Sequence, residues 1–105
     1  MWKNHYICRM TDLSTIKQIL FQLKPELAEK FHVRSIGLFG SIVRNDFKST
    51  SDIDIIVDFS KPIGIEFIDL ADFIEKRLNI PVDLVSKNGV KKKYFTEIEP
   101  EIIYV

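Results

Sequence analysis

The stretch Asp52-Ile53-Asp54-Ile55-Ile56-Val57-Asp58-Phe59 alternates with a period of two. Ile53, Ile55, Val57 and Phe59 therefore share one face of a strand, while Asp52, Asp54, Ile56 and Asp58 share the other. Aspartate is a poor strand former, so two of them in one strand ask for a reason. Asp52 and Asp54 would stand roughly 7 Å apart at Cα with both carboxylates on one face. Such a pair repels unless a cation lies between the two groups, and a hard cation such as Mg²⁺ prefers oxygen ligands. The bland alternative is an edge strand carrying solubilising charge, and the pair alone does not decide between the two.

Upstream, Val33 to Phe39 is rich in β-formers and ends at Gly40-Ser41, which reads as a strand handing over to a short helix, Ser41 to Arg44. Glycine lets backbone approach a ligand closely, and a helix start offers unpaired N–H groups to an anion. Alone, a Gly-Ser pair marks an ordinary turn. Asn45 to Thr50 is polar and turn-like, and Ser51 is placed to orient the acid pair. Earlier still, Asp12 stands where it could cap a helix with Leu13, Ile16, Ile19, Leu20 and Leu23 on one stripe. Pro25 is expected to break that helix and open a second, running to Lys30 with Leu27 and Phe31 inward.

Downstream, Ser60 to Gly64 reads as a loop and Ile65 to Leu78 as a helix presenting Phe67, Leu70, Ala71, Ile74 and Leu78. Pro81 to Val85 is a short strand in which Asp83 is a lone acid, opposed in facing to Val82 and Leu84. Lys91 to Lys93 falls in a helical turn, and Ile102 to Val105 suits a closing strand. This order predicts an α/β (α+β) fold, a small mixed β-sheet with helices packed on one face.

With 105 residues, 46% of them hydrophobic and 29% charged, the chain has ordinary globular composition and room for one domain. Residues 10–105 are expected to form it, with 1–9 a possible N-terminal extension of no clear period. Fifteen basic residues balance 15 acidic ones, so no global field draws the chain to nucleic acid or to a membrane. Cys8 is the single cysteine, which leaves no intramolecular disulfide and no multi-cysteine metal site. Neither a membrane-length apolar run nor a signal peptide is present, and the cytoplasm is the default. His5 and His32 read as surface or capping residues, Asp58 as a strand-end turn residue, and Lys91-Lys92-Lys93 as a solvated face.

Together, Gly40-Ser41, ten intervening residues, Asp52-Ile53-Asp54 and an acid in a later strand resemble the DNA polymerase beta-like nucleotidyltransferases. More narrowly, Leu38-Phe39-Gly40-Ser41, Arg44, the run from Ser51 to Val57, Val82-Asp83-Leu84-Val85 and the closing Ile103-Tyr104-Val105 are similar to the minimal nucleotidyltransferases (MNT proteins). The resemblance covers about residues 11 to 105. It implies that Asp52 and Asp54 are the metal-binding pair for two Mg²⁺ ions. Asp83 would be the third acid, which helps hold one metal and activates the attacking hydroxyl. Gly40 and Ser41 would cradle a triphosphate, with Arg44 a basic residue beside the phosphates. Many members place Gly soon after that arginine, where this chain has Asn45, a mild substitute that also tolerates positive φ. Family likeness further implies ATP as substrate and a helical HEPN-type ribonuclease toxin as partner, inactivated by AMP attached to a tyrosine hydroxyl. Two other readings stand beside it: an antitoxin that works by binding alone, and a transferase acting on a small molecule of the aminoglycoside kind. The chain has no residues left for a separate acceptor-binding domain, which disfavours the last.

Overall fold

A helix of 19 residues, α1 (Leu13–Phe31), opens the computed structural model, which describes residues 12–44 and 52–105. The expectations for residues 1–11, for the turn 45–50 and for Ser51 fall outside the described residues. Ile16, Leu20, Leu23 and Leu27 recur every three or four positions, and all are buried. Pro25 does not break α1, contrary to expectation; it lies inside the helix, exposed. A proline there removes one internal hydrogen bond at roughly 3 kcal/mol. Burying Leu23 on one side of it and Leu27 on the other returns about 1.5–3 kcal/mol each, so the apolar stripe carries the helix through. Asp12 occupies the N-cap without a side-chain capping bond. His32 takes the left-handed C-cap position at φ 59°, its N–H directed at the Ala28 and Leu27 carbonyls.

Among the described residues four strands follow, in the spatial order β3-β2-β1-β4. They are β1 (Val33–Phe39), β2 (Ile53–Phe59), β3 (Val82–Ser86) and β4 (Ile103–Tyr104). β1 pairs antiparallel with β2 and with β4, whereas β3 lies parallel to β2. The parallel pair needs a crossover, supplied by α3 (Glu66–Leu78), whose Leu70, Ile74 and Leu78 are buried. Acids at its start, Glu66 and Asp69, and bases at its end, Lys76 and Arg77, suit the helix dipole. α1 and α3 pack on the same face of the sheet, over Ile36, Leu38, Ile53, Ile55 and Val57.

The opposite face carries Phe39 and Ile56, with Val85 and Ile102 beside them. A short helix, α4 (Lys92–Ile98), covers this second cluster with Ile98 and Phe95. The two long helices thus share one face as expected, and a shorter one closes part of the other. Among the described residues no helix is long and apolar enough to cross a membrane.

Candidate active site

The open end of the α4 face is where the aspartates meet. Strand alternation puts Asp54 on the same side as Ile56, and Asp83 on the same side as Val85. The parallel register pairs Asp54 directly with Asp83. Asp52 immediately precedes β2 and is exposed. On the other flank of β2, the antiparallel register sets Asp54 opposite Phe39, one residue before Gly40. The three acids and the glycine turn, which the sequence places far apart, are thereby neighbours across three adjoining strand ends.

Gly40 has φ +78°, a left-handed backbone that side chains rarely adopt. A Cβ at this position would collide with Oδ2 of Asp54, so only glycine lets the turn close down on that carboxylate. The Gly40 carbonyl accepts the Val43 and Arg44 N–H groups at 3.0 and 3.1 Å, starting α2 (Ser41–Arg44), with Ser41 half-buried at its head. The Gly40 N–H donates to Oε1 of Glu101 at 2.9 Å, and Arg44 Nη1 donates to the same oxygen at 3.2 Å.

Asp54 is the electrostatic centre of the group. Partial burial, followed by the Asp83 and Asp52 carboxylates, pushes its carboxyl up to about 6; Arg44 opposes the rise and Glu101 adds to it. The donor set is oxygen-only and mutually repulsive, which fits a hard divalent cation such as Mg²⁺. Among the described residues no group of three or more such ligands is already gathered around one point. Asp54 with Asp83, and Asp52 on the rim, therefore form an open arrangement rather than a closed cage.

One carboxylate has another part than the sequence suggested, and a second was not read from it. Asp58 is buried near the far end of β2, where it accepts hydrogen bonds from Arg34 Nη2 at 2.6 Å and Nε at 3.1 Å. It is an ion-pair partner between neighbouring strands rather than a turn residue. Glu101 went unread altogether; the only sequence signal for it is an acid just ahead of a closing strand. Lys91, Lys92 and Lys93 are exposed at the start of α4, as a solvated face should be.

A small sheet that sets a carboxylate pair beside a glycine turn is the architecture of nucleotidyl transfer, and the family model of the nucleotidyltransferase domain matches residues 20–104. The protein adenylyltransferase MntA of Thermococcus cleftensis is 43% identical over 97 residues, covering 91% of this chain and 98% of that protein. A solved structure provisionally named a minimal nucleotidyltransferase is 25% identical with a TM-score of 0.74, over 88% of this chain and 94% of that one. The MNT antitoxin complex with the tri-AMPylated HEPN toxin of Shewanella oneidensis contains a chain of the same fold. That match is 21% identical with a TM-score of 0.65, over 87% of this chain and 69% of that one. The chain belongs to the nucleotidyltransferase domain family, in its minimal branch, and is an enzyme of that class.

Proposed function

We propose that this chain transfers AMP from ATP to a hydroxyl group, that of a tyrosine, on a HEPN-type ribonuclease toxin and so acts as its antitoxin. The observation that carries the reading is the register of Asp54 against Asp83, with Gly40 pressed onto the same carboxylate. Asp52 and Asp54 would hold Mg²⁺, with Asp83 completing one of two ion sites. When bound, the ions neutralise charge on the triphosphate and on the departing pyrophosphate. The Gly40 N–H, Ser41 and Arg44 would hold the phosphates. Asp83 takes the proton as the acceptor oxygen bonds to the α-phosphorus, and the bond from that phosphorus to the bridging oxygen breaks to release pyrophosphate. The Thermococcus cleftensis relative supports protein as the acceptor class, and the Shewanella oneidensis complex supports a HEPN toxin as the partner.

The reaction also needs the acceptor oxygen held about 3–3.5 Å from the phosphorus, a placement that a docked partner supplies. Free enzyme is therefore expected to bind ATP and turn over slowly until the toxin is added. The test incubates the chain and a HEPN protein encoded beside it with each of the four nucleoside triphosphates and Mg²⁺, then reads the partner by mass spectrometry. An AMP adduct on tyrosine, lost in Asp83→Ala while some ATP binding remains, is expected. A tight inhibitory complex without any adduct would replace this reading with that of an antitoxin acting by binding alone.

A further inference from the structure

Glu101 ends the 3₁₀ turn Glu99–Glu101 that leads into β4. Its Oε1 accepts from the Gly40 N–H at 2.9 Å and from Arg44 Nη1 at 3.2 Å, while its Oε2 lies 3.4 Å from the same Arg44 nitrogen. A backbone N–H and a guanidinium converging on one oxygen of an anion form a donor set as well suited to phosphate as to carboxylate. These are two of the groups assigned above to the triphosphate. One donor set cannot serve Glu101 and a phosphate in full at once.

We propose that Glu101 is an internal competitor for the phosphate site: its carboxylate occupies the Gly40 and Arg44 donors in the nucleotide-free chain and must swing away for a triphosphate to enter. The inference rests on the nucleotide-binding reading given above. The backbone around Glu101 is fixed independently of its side chain, by the Ile102 N–H on the Glu99 carbonyl at 3.2 Å and the Val105 N–H on the Ile36 carbonyl at 3.0 Å. The side chain is 27% exposed, so it can turn into solvent without disturbing β4.

The consequence is an affinity held down by a bond that nucleotide binding must break. Glu101→Gln keeps the shape and removes the charge, and is expected to tighten ATP binding about tenfold, the scale of one charge-assisted hydrogen bond weakened in the free protein. Calorimetric titration of the full chain with ATP, and with inorganic triphosphate as a probe lacking the nucleoside, reads this directly. The same gain for both probes, with the free variant melting a few degrees lower because it has lost that bond, is the expected result. Equal or weaker binding by a folded Glu101→Gln chain, while wild type binds ATP, overturns the competitor and leaves the nucleotide site standing. Absence of ATP and triphosphate binding in wild type and variant alike overturns both. A second measurement needs no variant. In isotope-labelled wild type, saturation with ATP should shift the Glu101 side-chain carboxyl resonance to its solvated position as the Gly40 amide moves. A Glu101 signal unchanged at saturation overturns the proposal.

Discussion

At the scale of single residues, Asp54 is, among the described residues, the group most displaced from its ordinary behaviour, its carboxyl raised from 3.8 to about 6 by burial and by Asp83 and Asp52. The folded chain thus holds that proton more tightly than the unfolded chain does. Ionising Asp54 therefore lowers stability, progressively as pH rises from about 4 to about 6, and fully above that. Asp54→Asn is expected to melt a few degrees higher than wild type at pH 7.5 with chelator present, and to show no advantage near pH 4. The gain is small, on the order of 1 kcal/mol, because solvent screens the half-open site. Under the proposed function the same variant loses a charged metal ligand, so its transfer should fall at least about a hundredfold. Equal melting temperatures at pH 7.5, or transfer indifferent to the substitution, would remove Asp54 from this role. Alternation alone placed Asp52 and Asp54 on one face, but it gave no measure of their crowding. That depends on Asp83, 29 positions after Asp54 in sequence and its partner in the register.

Among the elements, α1 shows where reading by local propensity fails. The apolar stripe was legible on both sides of Pro25, yet the break assigned to the proline does not occur, because buried leucines flank it and local preference yields to packing. Pro25→Ala should restore the missing backbone bond and raise stability by about 1–3 kcal/mol, measured as a shift in the urea midpoint without change in slope. A lowered midpoint would mean that the proline sets a bend on which the helix depends. The strands and α3 were legible because their periods of two and of three to four are clean. Parallel pairing of β2 with β3 was not, since it is fixed by how α3 crosses the sheet rather than by either strand. Glu101 was hidden for the same kind of reason: it is 61 residues from Gly40 and reaches it only because β4 lies beside β1.

On the scale of the whole molecule, the last residues close the sheet. Gly37, which has no side chain, leaves room for Ile102 and Tyr104, whose atoms would lie 2.7 and 3.2 Å from a Cβ there. Val105 bonds to the Ile36 carbonyl, and Lys24 of α1 reaches the Val105 carbonyl at 2.8 Å. Removing residues 103–105 should cost about 2–4 kcal/mol through lost strand pairing and apolar cover, seen as a lower urea midpoint. Stability equal to the full chain would show the edge to be dispensable. The strand order has a further consequence for how the enzyme breathes. Asp83 lies on the edge strand at one side of the sheet, Glu101 borders the edge strand at the other, and Asp54 sits on a strand between them. Edges open more readily than centres. Fraying at β3 would take Asp83 away from Asp54, whereas fraying at β4 would lift Glu101 off the Gly40 turn. If both proposals hold, the two edges bias catalysis in opposite directions, and amide exchange rates measured separately along β3 and β4 become a readout of activity as well as of stability.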